Sequence, residues 1–246
     1  MRKKGSITLF IITGIILVGG FFLIQYIGQG PHLERTDSFD EPTSLFVESC
    51  LEKTTHEGIV FLGLQGGAYS PQGVDLDVYT IPYFVKHGTV ELALKEEFER
   101  DLTLYVNGHI QDCIKDFSEL RGQGYGISFS TPKASISLDE TVLVNLDFPV
   151  TLQTGMSRKK VHAFQTSTEY NFRKLYSILS ELMAEHQKNP NHVPIGYLSY
   201  LAHREHFTYA LAYPDNETVI YSLMFNDLFK DNSTMVFNFA ATYDWQ

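Results

Sequence analysis

Apolar residues run without a single charge from Ile7 to Ile27, and beyond Phe39 the apolar positions recur with the periods of folded elements. The first run predicts a helix of 21 residues, about 31 Å long, which matches the hydrocarbon core of a bilayer. Asp40, Pro42 and Thr43 mark the start of a second helix over Leu45 to Leu64. On it Phe46, Val47, Cys50, Leu51, Thr54, Gly58, Phe61 and Leu64 recur every three to four residues. Gly63, Gly66 and Gly67 end that helix, and the extended chain after them carries no lysine, which is a turn rather than a phosphate cradle. Val78 to Val85 is β-prone but interrupted by Pro82, which predicts an edge strand or a loop. From Val90 to Phe117 a further helix is expected, with Leu94, Phe98, Leu102, Tyr105, His109, Ile110, Cys113 and Phe117 as its apolar stripe. Glu91, Glu96, Glu97, Glu99 and Arg100 supply its wet face, and Asn107-Gly108 loosens it.

The period then shortens from that of a helix to that of a strand. Thr141 to Gln153 alternates strictly, with Val142, Val144, Leu146, Phe148, Val150 and Leu152 on one side, which predicts a long half-buried strand. Pro149 falls on its polar side and marks a bulge or an edge. Gly126 to Ser130 and Ser135 to Leu138 precede it, and Lys159 to Thr168 follows across the Thr154-Gly155 turn, forming an antiparallel meander with one face on a core. A helix from Glu169 to Lys188 comes next, capped by Thr168, facing inward through Phe172, Leu175, Tyr176, Leu179, Leu182 and Met183, and stopped by Asn189-Pro190. Pro194 opens a short helix to His203, and three strands follow at Phe207–Tyr213, Val219–Phe225 and Met235–Tyr243. Helices, then strands, then a helix and strands again indicate an α+β fold: amphipathic helices packed on antiparallel meanders.

Charge places this body. The net charge is −10, and setting aside Arg2, Lys3 and Lys4 leaves 16 basic against 29 acidic residues. Such a body repels phosphate backbones and anionic lipid head groups, which excludes nucleic acid as a partner. The apolar run is too long for a secretory signal, its exit Gly28-Gln29-Gly30-Pro31 is a poor cleavage site, and no cysteine near it could be lipidated. The expected organisation is a basic cytoplasmic leader at 1–6, a transmembrane helix at 7–27, a polar tether at 28–39 and an extracytoplasmic domain at 40–246. The bilayer is thus the partner of Ile7–Ile27, with the N-terminus inside and the domain outside. Thr8, Thr13, Gly14, Gly19 and Gly20 would let a second helix approach closely.

Outside the cytoplasm, Cys50 and Cys113, each on the apolar face of a helix, favour a disulfide over two buried thiols. By chain entropy that bridge would add about 3–4 kcal/mol. Asn216-Glu217-Thr218 and Asn232-Ser233-Thr234 match the glycosylation acceptor pattern in expected surface loops, with Asn216 and Asn232 as acceptors. Reactive constellations are weak. His203-Arg204-Glu205-His206, even with His186 and His192, lacks the spacing of a zinc protease and is assigned to surface histidines. No Gly-x-Ser-x-Gly elbow occurs, and His109, one turn from Cys113, would activate a thiol only if that thiol were free and polar in setting. No catalytic, cofactor-binding or metal residue is assigned.

Two resemblances extend this reading. Lys3-Lys4-Gly5 followed by Ser6-Ile7-Thr8-Leu9-Phe10 is similar to an archaeal prepilin leader, in which a peptidase cuts after the glycine. Pilins usually carry a glutamate five residues beyond the cut, where this chain has Phe10. With Val47-Glu48-Ser49-Cys50-Leu51, Gly63-Leu64-Gln65-Gly66-Gly67 and Cys113, the chain resembles single-pass envelope proteins of small-genome archaea, a group without an established activity. The resemblance implies archaeal origin and membrane attachment. The expected function is a non-enzymatic binding or envelope-structural module with an envelope or protein partner. A pilin-like subunit processed after Gly5 is the first alternative and an extracytoplasmic hydrolase the second.

Overall fold

Helix α1 (Glu41–Leu64) opens the computed structural model, which describes residues 41–245. The leader, the span at Ile7–Ile27 and the tether at 28–39 lie outside the described residues. Among the described residues no helix is long and apolar enough to cross a membrane. Val47, Cys50, Leu51, Ile59 and Leu62 form the buried face of α1, and the Thr55 hydroxyl donates to the Leu51 carbonyl at 2.7 Å. The helix ends at the expected glycines. Gly66 and Gly67 adopt φ of 64° and 85°, and the Gly67 N–H donates to the Leu62 carbonyl at 2.7 Å. A Cβ on Gly67 would lie 1.8 Å from a ring carbon of Phe98. Gly67→Ala is therefore expected to lower unfolding stability by about 2 kcal/mol, measured by denaturant titration, because left-handed strain adds to the clash.

The chain after α1 enters a six-stranded sheet ordered β1 (Gly73–Asp75), β2 (Thr80–Lys86), β10 (Met235–Thr242), β9 (Thr218–Phe225) and β8 (Thr208–Ala212), with β3 (Thr89–Val90) on the end of β2. Its pairs are antiparallel except β2–β10, which run parallel. The stretch expected as an edge strand or loop at Val78–Val85 is thus an interior strand, β2. Pro82 is tolerated because the register with β10 begins only at Tyr83, so its missing N–H removes nothing from that ladder.

Helix α2 (Lys95–Ile114) starts later than the stripe from Val90 implied. The Leu94 N–H donates to the Glu97 carboxylate at 2.8 Å, closing the first turn and leaving Leu94 exposed rather than buried. Its buried line is Phe98, Leu102, Val106, Ile110 and Ile114. The helix also stops early: Lys115, Asp116 and Phe117 take positive φ before a short helix α3 (Ser118–Gly122). A left-handed phenylalanine is costly. Phe117 is held there by Phe46, Phe129 and Phe148, with ring centroids at 5.9, 5.3 and 6.0 Å.

The second sheet has β6 (Val142–Thr154) at its centre, β4 (Gly126–Phe129) and β5 (Lys133–Leu138) in succession along one edge, and β7 (Ser157–Thr168) along the other. All six alternating apolar residues of β6 are buried, and the ladder to β7 shifts register between Asp147 and Val150, which is the bulge expected at Pro149. Helix α2 lies along β5, where Asn107 Oδ1 accepts the Ala134 N–H at 2.8 Å and Glu99 Oε1 accepts the Leu138 N–H at 2.9 Å. The edge of β5 is thereby closed by side chains.

Helices α4 (Phe172–Lys188) and α5 (Ile195–Glu205) follow. The cap of α4 is Asn171, whose side chain accepts the Lys174 N–H at 2.9 Å. Thr168, expected in that role, is still part of β7, opposite Val142. The bridge between Cys50 and Cys113 joins α1 to α2 across a Cα separation of 5.6 Å. The architecture is α+β with antiparallel-rich sheets, and residues Pro42–Gln246 form one compact unit by themselves.

Candidate functional site

The outward face of α1 carries Glu52 and His56, one turn apart, while Leu51, Thr54 and Thr55 beside them are buried. Opposite stands the junction between β7 and α4. There the loop after β9 is tied to the chain before α4 by Asn171 N–H to the Leu228 carbonyl, at 2.9 Å, and by an isolated bridge between Tyr170 and Phe229. Phe229 is wedged between the ring of Tyr170, at 4.8 Å, and the imidazole of His56, at 4.6 Å. The result is a surface groove of about 500 Å³ whose walls include Glu52, His56, Thr168, Phe229 and Asp231. It continues along α1 past Lys53 and Glu57.

Charge within the groove is uneven. Lys230 pairs with Glu169 at 2.6 Å and Lys53 with Glu57 at 3.9 Å, so these charges are locally balanced. Glu52 and Asp231 form no ion pair with Lys or Arg among the described residues. The side chain and backbone N–H of Ser233, the latter at 2.9 Å, hold the Asp231 carboxyl below the usual carboxylate range, and His56 acts in the same direction. Thr168 Oγ1 is buried in the wall and has no hydrogen-bond partner among the described residues, which is costly unless something supplies one. Two acceptor carboxylates and an imidazole thus line one concavity, with an unsatisfied hydroxyl buried in its wall. Among the described residues Thr168 Oγ1 makes no hydrogen bond to His56.

A wider concavity of about 620 Å³ lies on the outer face of the six-stranded sheet, between Tyr79 and Tyr213. It is mainly apolar, with Asn238 Oδ1 as a buried acceptor lacking a partner among the described residues, and it offers area with little converging chemistry.

The residues singled out from the sequence lie elsewhere. Cys50 and Cys113 are bonded, and His109 stacks on Tyr105 at 4.2 Å with Nδ1 against the Tyr105 carbonyl. His203 and His206 are exposed at the end of α5, where His206 takes the left-handed C-cap position, and His192 is exposed. His186 is instead fully buried, its Nδ1 3.3 Å from the Tyr243 hydroxyl, which in turn bonds the Tyr221 hydroxyl. Burial pushes the His186 imidazole down to about 4, against a smaller upward pull from Glu185. No group of three His, Cys, Asp or Glu side chains suited to a metal forms among the described residues. Asn216 and Asn232 are both exposed in loops. Glu52, His56, Thr168 and Asp231 were missed because each alone looks like an ordinary surface or strand residue. The one local signal was a carboxylate and an imidazole four residues apart on the wet side of α1. Comparison of the chain with family models, curated proteins and solved structures returns no match, so the chemistry of the groove is read from its own residues.

Proposed function

We propose that this chain is a membrane-anchored extracytoplasmic binding module and that the groove between α1 and the β7–α4 junction holds its ligand. The observation that supports this is that Glu52, His56 and Asp231 line one concavity, the two carboxylates without a Lys or Arg partner among the described residues, with the Thr168 hydroxyl buried in its wall. Acceptors without cationic partners suit a ligand rich in hydroxyl or ammonium donors. Thr168 registers with Val142, so the groove sits at the end of the β6–β7 ladder remote from its turn at Thr154–Ser157. Titration calorimetry on the full chain in detergent, with soluble oligosaccharides and with polyamines as probes, tests the assignment. Saturable heat is expected for one probe class, weakened about tenfold by Glu52→Gln and again by His56→Ala, the scale of hydrogen bonds to charged groups. Binding indifferent to both substitutions, or no binding, would remove the groove from the account.

The leader supports a second assignment. Lys4-Gly5-Ser6 ahead of the apolar run favours a pilin-like subunit cut after Gly5. N-terminal sequencing of protein from native membranes decides it, since a retained residue 1–5 segment ends the pilin assignment. Sugar attachment at Asn216 and Asn232 belongs to the same extracytoplasmic placement and is read by intact mass before and after deglycosylation.

A further inference from the structure

A strand at the border of a sheet needs some device against foreign strands, and most borders of this molecule have one. In the six-stranded sheet β1 is three residues long and carries Asp75, and β3 has only two residues. In the second sheet β5 is closed by side chains of α2, and on β4 the Ile127 carbonyl accepts from Arg121 at 2.7 Å. Strand β7 carries Arg158, Lys159, Lys160 and His162. Strand β8 differs from all of these. Its five residues, Thr208-Tyr209-Ala210-Leu211-Ala212, include no charge, no proline and no glycine. It pairs with β9 on one side, and among the described residues no hydrogen bond reaches its backbone on the other.

The surfaces beside this open border are apolar. Outward, Ala210 and Ala212 join Ile220 and Met224 in the wall of the concavity on the sheet face. Inward, Tyr209 and Leu211 pack on the core, and the hydroxyls of Tyr209 and Ser199 lie 2.7 Å apart, which ties β8 to α5. Ile195, one turn before Ser199, is 48% exposed, and Tyr213, directly after β8, is 53% exposed. Both ends of the strand fix its register. His206 has a left-handed φ of 60° and Pro214 has no N–H, so a strand laid against β8 can slip little either way.

We infer that β8 is the docking edge for a second copy of this chain, antiparallel about a twofold axis at Ala210, so that two six-stranded sheets become continuous. Complementarity of the strand with itself selects this occupant. With Ala210 opposite Ala210, Thr208 falls opposite Ala212 and Tyr209 opposite Leu211. Small side chains then meet on the outer face, and an aromatic meets an aliphatic on the inner one. Antiparallel order also brings His206, before the strand, towards Asp215 and Glu217 of the other copy, all three being exposed. A parallel pair would set those carboxylates against their own copies. Five residues span about 17 Å, a small contact, so the pair is reversible rather than obligate. Neither the groove nor the anchor enters this assignment.

Cysteine capture tests the pairing on the full chain in detergent, produced in a host that adds no sugar so that Asn216 is bare. Directly opposed residues of an antiparallel pair have Cα atoms about 4.5–5.5 Å apart, within reach of a disulfide. Ala210→Cys alone, oxidised with copper phenanthroline, should therefore give a crosslinked dimer on a non-reducing gel. Thr208→Cys alone and Ala212→Cys alone should not, because each would lie about 14 Å from its own copy. Mixed together, those two variants should crosslink. Equal crosslinking by all three single variants, or none by Ala210→Cys, overturns the inference. Sedimentation equilibrium gives a second reading: Ala210→Lys sets like charges face to face and should weaken self-association about tenfold, with the far-ultraviolet circular dichroism unchanged. Association of equal strength in that variant comes from another surface, the apolar run at 7–27 included, and overturns the inference. So does a chain that stays monomeric, which would leave the edge to a foreign strand.

Discussion

Replacing Cys50 and Cys113 together by serine is expected to lower the unfolding free energy of the folded body by about 4 kcal/mol. The two residues are 63 apart in sequence, and their bond closes a long loop that contains the end of α1, β1, β2, β3 and most of α2. In the chain-entropy account, opening so long a loop restores freedom chiefly to the unfolded ensemble. Cys50 is also buried, so a serine hydroxyl there would need a partner that its apolar neighbours do not offer. Against a total stability of about 5–15 kcal/mol for a domain, the loss is severe. Denaturant unfolding of the full chain, followed by far-ultraviolet circular dichroism, measures it, and reductant should produce a similar shift in the unmodified chain. A change below about 1 kcal/mol would mean that α1 and α2 hold together by packing alone.

Acid should destabilise the fold through one residue more than any other. His186 is enclosed by α4 and the inner face of the six-stranded sheet, against Tyr221 and Tyr243, and its Nε2 has no partner among the described residues. Its folded value of about 4 lies below the ordinary 6.5, so the imidazole is neutral in the fold. Above the ordinary histidine value both states are neutral and stability is complete. As pH falls below it the unfolded chain takes up a proton first, and stability drops by roughly 1.4 kcal/mol per pH unit. The loss is complete near pH 4, where the folded state also protonates, at a total of about 3 kcal/mol. Trp245, the single tryptophan, stacks on Tyr243 at 5.5 Å and reports on this cluster by fluorescence. His186→Phe should remove this part of the acid dependence, leaving what the carboxylates contribute. If the variant and the unmodified chain lose stability in parallel between pH 6.5 and 4, the proton is going elsewhere.

The legible parts of this protein are those where burial is decided locally. Thr141–Gln153 announced β6 because one face of that strand meets the core and the other meets water, and Pro149 announced its bulge. Cys50 and Cys113 could be paired because each sat on the apolar face of its own helix. Contacts remote in sequence left no such trace. The parallel pairing of β2 with β10 joins Tyr83 to Ala240, and nothing in Val78–Val85 encodes a partner so far along the chain. The break after Ile114 contains neither glycine nor proline; aromatic packing around Phe117 imposes it, and a helical period cannot register that. Thr168 and Asn171 are both good caps, and the choice went to the residue beyond the reach of the β6 ladder. The groove was least visible of all, since Glu52, Thr168 and Asp231 become neighbours only once both sheets are in place.

The capture of Ala134 and Leu138 by side chains of α2 limits how copies of this molecule could associate. A foreign strand arriving at β5 would find those two amides already engaged, and would have to unseat a helix covalently stapled to α1 before it could dock. Lateral growth by sheet extension is therefore obstructed on that flank. Neighbouring copies would have to meet through other surfaces.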